Sequence, residues 1–215
     1  MSRKISEIYK EYKIMPLLAT HMFRVAGVAS MICDSSGVPI DKESVIAACL
    51  LHDMGNIIKS DLNQFAKFRG EKSLEYWEQV KQNYIKKYGA NEHDASMEIA
   101  KELRVSKNIL DLIYGVDFSN IPFMESKSIE YQICLYADAR VDPMGIVSFS
   151  QRLREGKERY KNTKHTIADT KWELAEQIFN RVEKKLFAKC KIKSEDINNE
   201  TVAPIISELK NFVIG

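Results

Sequence analysis

The sequence predicts an all-α fold, and three observations carry that prediction. Apolar residues recur at three- and four-residue intervals along most of the 215 residues. No run alternates apolar and polar residues long enough to read as a strand. Helix-start residues, among them Pro16, Asp41, Asn91 and Ser106, stand just ahead of the periodic stretches.

The first clear helix opens at Pro16 and runs through LLATHMFRVAGVASMI, with Leu18, His21, Val25 and Ile32 on one side. A loop, DSSGVPID, separates it from a second helix capped by Asp41, with Glu43 in its first turn. That helix carries Val45, Cys49, His52 and Asp53 on a similar side, and Gly55 is placed to end it. Residues 56–71 are polar and less periodic. A helix over 72–88 presents Leu74, Trp77, Tyr84 and Tyr88 at helical spacing, and Gly89 closes it. Asn91 caps a helix carrying His93, Met97, Ala100 and Leu103; Ser106 caps a shorter one. Ile121 to Glu125 reads as loop. A helix over 127–141 contains ICLYADARV, with Pro143 after it. A basic helix over 144–161 and amphipathic helices over 168–189 and 200–213 complete the chain. Trp172, Ala175, Phe179, Val182 and Leu186 form a core stripe or a self-association seam. Val202, Ile205, Leu209 and Phe212 make another apolar stripe.

Length and composition narrow the function classes. A mass of 24.7 kDa suffices for one sizeable core. With 45% hydrophobic and 29% charged residues the chain is of ordinary globular type. A net charge of +2 does not carry the strongly basic footprint of a nucleic-acid binder, so no nucleic-acid partner is expected. Residues 151–190 hold eleven Lys/Arg against six Asp/Glu. That surplus fits a solvated helix face better than a phosphate funnel. Cys33, Cys49, Cys134 and Cys190 form no CxxC pair, and three lie in apolar stretches, as free thiols of a reducing cytoplasm do. The charged N-terminus lacks an apolar signal-peptide region, and no run of about 18 apolar residues suggests a membrane span. A cytoplasmic protein, free of the membrane and open to homo-oligomerisation, is the expectation.

Only four histidines occur: His21, His52, His93 and His165. His52–Asp53 ends the apolar run SVIAACLLHD. A carboxylate there is costly unless it meets a cation, and a divalent metal would satisfy both side chains. His21, between Leu18 and Val25, faces the core. So does Asp138, flanked by Cys134, Leu135 and Val141. Singly, a core His or Asp is most often just hydrogen-bonded. Together, three helices each point a metal-type ligand inward, and a helix bundle is a natural frame for such a site.

The order His21, His52–Asp53, Asp138 resembles the H…HD…D signature of the HD superfamily of metal-dependent phosphohydrolases. THMFRVAGVA resembles its first motif, AACLLHDMGN its second and LYADARV its last, over roughly residues 14–145. The resemblance implies an HD-domain helical bundle over residues 1–145. Additional C-terminal helices, residues 146–215, pack on or extend it within a single domain. It implies one or two divalent ions held by His21, His52, Asp53 and Asp138, with Asp53 also catalytic; the departures below favour one ion per chain. Imidazole and carboxylate together suit Mn, Fe, Co, Ni or Zn. The implied reaction is hydrolysis of a nucleotide or other small phosphoester by a water whose pKa the ion lowers.

Two departures stand out. Asn56 in HDMGN replaces the Lys of HDIGK-type relatives, and no acidic residue stands beside it; the chain offers no obvious substitute general acid, although Lys59 is close in sequence. His93 resembles the first of two extra histidines of dinuclear relatives. The second is missing near IYGVDF, where Asp117 alone offers an oxygen. Arg24, Asn56 and His93 are therefore candidates for substrate or second-metal contact. Arg24 lies one helical turn from His21 and could grip a phosphate bidentately. Arg140 reads as structural and His165 as a surface residue. A non-catalytic metal- or nucleotide-binding module and, against the missing histidine, a diiron oxygenase are the competing functions.

Overall fold

The computed structural model describes residues 2–63, 70–161 and 167–215. Its α-helices are α1 (Ile5–Glu11), α2 (Pro16–Ser35), α3 (Lys42–Leu51), α4 (Leu74–Tyr88), α5 (Glu92–Glu102), α6 (Lys107–Gly115), α7 (Ile129–Asp138), α8 (Phe149–Tyr160), α9 (Asp169–Phe187) and α10 (Asn199–Leu209). Short 3-10 segments cover Asn56–Ile58, Phe118–Ser126 and Ser194–Asp196. Strands β1 (Arg3–Lys4) and β2 (Val213–Ile214) pair antiparallel and tie the two ends of the chain together. The all-α expectation holds.

The helix starts follow local capping chemistry. Asp41, Ser73, Asn91, Ser106 and Ser128 each accept a backbone N–H of the following first turn, and Ser148 forms a reciprocal capping box with Gln151. Gly89 closes α4 with φ +90°, a conformation that favours glycine.

α2 and α3 form the centre. α2 packs on α3, α7 and α10, while α3 also meets α6 and α7. Gly27 allows the α2–α10 crossing, because a Cβ there would stand 2.4 Å from Val202 Cγ1. α2 is long and apolar enough by composition to cross a bilayer, which scanning for uninterrupted apolar runs overlooks. Half of its most apolar window is buried inside the fold, the pattern of a core helix.

Residues beyond 145 join the same core. Ala175, Ile178, Phe179, Val182 and Leu186 of α9 are buried with Ile133, Leu135 and Tyr136 of α7. The expected core stripe on this helix is found, with Trp172 also buried.

One element goes unpredicted and two expectations need correcting. The charged N-terminus contains α1, whose Ile5, Ile8 and Tyr9 are buried. Residues expected to form a loop at 121–125 belong to the 3-10 segment Phe118–Ser126. Gly55 does not end its helix in a left-handed conformation: α3 stops at Leu51, and Gly55 has φ −87°. Its lack of a side chain serves packing instead. A Cβ would meet Glu92 O at 2.3 Å and Ala95 Cβ at 2.7 Å, so the start of α5 presses on the turn that follows His52–Asp53.

Candidate metal centre

Three helices bring the candidate ligands together. His21 projects from the second turn of α2, His52 caps the C-terminus of α3 with Asp53 next to it, and Asp138 is the last residue of α7. His21 Nε2 stands 3.1 Å from Asp138 Oδ1 and 3.6 Å from Asp53 Oδ2. His52 Nε2 stands 3.5 Å from Asp138 Oδ1 and 3.7 Å from Asp53 Oδ2. Ligand atoms of His21, His52 and Asp53 all lie within 4.8 Å of one another, and this group could hold a metal ion. Asp138 closes it on the α7 side.

His52 is the deepest of the four, its side chain 2% exposed. Nδ1 lies 2.9 Å from the carbonyl oxygen of Cys49. A carbonyl can only accept, so Nδ1 carries a proton and donates it. In the neutral ring Nε2 is then a lone pair directed at the two carboxylates. That atom is buried and has no hydrogen-bond partner among the described residues. A buried polar atom without a partner is rare in folded proteins, and a cation at this point would satisfy it.

The electrostatics agree. Burial favours the neutral imidazole of His52, yet Asp53 and Asp138 outweigh burial and push its pKa up to about 9. Burial likewise opposes the charge on Asp138, but the hydrogen bond with His21 and the charge of the nearby His52 imidazole hold its carboxyl well below the usual carboxylate range. Without a metal, protons balance the two carboxylates; a divalent ion bound here would take their place and release them. The donor set therefore fits a divalent cation.

The supporting shell includes residues that periodicity does not single out. Tyr9, from α1, donates to the carbonyl of Leu50 at 2.6 Å, just ahead of His52. Asn56 Nδ2 donates to Asp53 Oδ2 at 2.7 Å. The Cys49 carbonyl sits three residues before His52, a helical spacing visible in the sequence, although the imidazole's direction is not.

The remaining candidates stand apart. His93 lies outside the ligand group, in the first turn of α5, its ring 5.6 Å from that of Tyr114; its Nε2 is buried without a partner among the described residues. Arg24 is half-buried and makes no hydrogen bond or ion pair among the described residues. Lys59 is paired with Glu92 at 3.3 Å. Asp117 accepts from the backbone N–H of Ser119 at 2.7 Å and also from its hydroxyl, which makes it a cap for the 3-10 segment. Arg140 is buried in a structural network, and His165 lies outside the described residues.

Two imidazoles and two carboxylates gathered at the meeting point of three helices define an all-α protein with a side-chain cluster that could hold a cation. The HD-domain family model matches residues 18–139, a span that contains all four of these side chains, and the chain belongs to that family. No curated protein and no solved structure gives a significant match. HD domains bind divalent metals, and the His21, His52 and Asp53 group is where this chain could do so.

Proposed function

We propose that this protein is a divalent-metal-dependent phosphohydrolase acting on a nucleotide or another small phosphoester. The observation that carries the reading is the buried Nε2 of His52, which has no hydrogen-bond partner among the described residues, faces two carboxylates and is flanked by His21.

In this reading His21, His52, Asp53 and Asp138 hold one ion per chain, of the Mn, Fe, Co, Ni or Zn type. When bound, the ion supplies Lewis acidity toward a phosphoryl oxygen and a water of lowered pKa. The chain's own residues do the rest. The Cys49 carbonyl fixes the His52 tautomer. Asp53, whose Oδ2 is held by the Asn56 amide, is the carboxylate that orients the attacking water and takes its proton. Arg24, one turn from His21 and without a competing partner among the described residues, grips a phosphate oxygen.

The test is a phosphoester panel assayed with each candidate metal. Hydrolysis is expected, reduced at least about 100-fold in His52→Ala and Asp53→Ala. Full activity in those variants overturns the proposal. A second reading, a non-catalytic binding module, draws on Lys59: its pairing with Glu92 leaves no obvious free acid beside the motif. That reading predicts metal and nucleotide retention with no turnover across the panel.

A further inference from the structure

Asn56 stands where the family resemblance expects a lysine, and its surroundings explain an amide there. A carboxylate only accepts hydrogen bonds, so the amide nitrogen of Asn56 must be the atom facing Asp53. That contact is 2.7 Å long and falls on Oδ2. Oδ2 is also the oxygen that stands 3.6 Å from His21 Nε2 and 3.7 Å from His52 Nε2. One neutral donor therefore acts on the carboxylate atom that both imidazoles face.

Orienting the amide this way has a cost. Asn56 Oδ1, the other atom of the amide, is buried and has no partner among the described residues. An orphaned buried acceptor costs about 1–3 kcal/mol. A residue chosen for stability alone would avoid that cost; an apolar side chain of similar size has no polar atom to orphan. The backbone is arranged to keep the contact. Asn56 N–H donates to the Asp53 carbonyl at 3.0 Å, a tight turn that sets the two side chains together. Gly55, between them, lies under the first turn of α5 and donates to Ser96 Oγ at 2.9 Å.

We infer that Asn56 is a positioning residue: its side-chain amide clamps Asp53 Oδ2 in the orientation that meets a divalent cation, without adding charge to the site. This rests on the metal-site reading above. A neutral amide leaves the formal charge of the ligand set unchanged, with two carboxylates facing a divalent ion.

The test compares wild type, Asn56→Ala and Asn56→Leu, each as the full chain stripped with chelator. Mn(II) affinity is read by the EPR signal of free Mn(II), and metal-free stability by thermal unfolding. Loss of an outer-shell hydrogen bond is expected to weaken Mn(II) binding about 10- to 100-fold in both variants. The metal-free melting temperature of Asn56→Leu is expected to equal or exceed that of wild type, because the orphaned acceptor is gone. Weaker binding with undiminished stability is a combination that a merely structural residue would not produce. Variants that bind Mn(II) as tightly as wild type overturn the proposal alone. So does a fall in metal-free melting temperature in both variants, which marks a structural residue. Wild-type protein that binds no Mn(II) overturns the site reading, and this proposal with it.

Discussion

Two buried polar clusters lie two residues apart at the end of α7, and they are built on opposite principles. Arg140 is 4% exposed, yet all three of its guanidinium nitrogens are engaged. Nε donates to Val147 O at 2.5 Å, Nη1 to the Tyr136 hydroxyl oxygen at 2.7 Å, and Nη2 to the carbonyls of Ile197 at 3.0 Å and Ser194 at 3.2 Å. Tyr136 in turn donates to Glu183. At Asp138 the pattern reverses: His52 Nε2 and, close by, Asn56 Oδ1 are buried without partners among the described residues. A closed network joins α7 to α9 and to the 3-10 segment before α10. The open one adjoins the His21, His52 and Asp53 group that could hold a metal ion. Two neighbouring polar clusters at the end of one helix thus differ in how far the polypeptide alone satisfies them.

The comparison can be broken from either side. Arg140→Met leaves one buried and two part-buried carbonyls and the Tyr136–Glu183 pair short of donors. It should destabilise the fold by about 3–5 kcal/mol in urea unfolding. Mn(II) stoichiometry of the folded fraction should be unchanged; loss of Mn(II) with unaltered stability would reverse the assignment of the two clusters.

The pH dependence sharpens the same contrast. In chelator-stripped protein the His52 pKa is raised from 6.5 to about 9. Its contribution to stability is therefore fully present below about pH 6.5 and lost as pH rises through about 9. Stripped protein should melt lower at pH 9.5 than at pH 6, and His52→Gln should flatten that difference. Metal-loaded protein should show the opposite trend at the site, because deprotonated ligands favour the ion. An identical slope in wild type and His52→Gln would remove His52 from the account.

Smaller effects follow at the margins. Gly55→Ala forces a Cβ against α5 and should cost about 1–3 kcal/mol while also weakening Mn(II) binding, since it displaces the turn holding Asp53 and Asn56. Asp41→Ala removes the α3 cap far from the ligands. It should cost about 1 kcal/mol and leave Mn(II) affinity untouched. Equal metal affinity in Gly55→Ala would separate that turn from the site.

Much of the fold is legible in the sequence because its signals are local. Asp41, Asn91 and Ser106 each act within their own first turn, and the periodicity of α9 is complete within the helix. α1 is not legible in that way: its Ile5, Ile8 and Tyr9 are diluted by Lys and Glu, and they become core only when α1 is held against the rest of the fold. The role of Gly55 is equally hidden, since it depends on α5, some forty residues later. For the site, the resemblance named His21, His52, Asp53 and Asp138, and the structure gathers those four. His93 falls outside the group, and Asp117 is occupied as a cap. The Cys49 carbonyl and the direction of the Asn56 amide could not be read, because both are matters of side-chain orientation rather than residue type.

The most direct measurement is metal stoichiometry of the purified full chain, wild type beside His52→Ala and Asp138→Asn, by elemental analysis after equilibration with Mn(II) and removal of excess ion. The account predicts one divalent ion per chain in wild type and a loss of most of it in both variants, with their helical circular dichroism preserved. Stoichiometric metal retained in both variants, or none bound by the wild type, would contradict it.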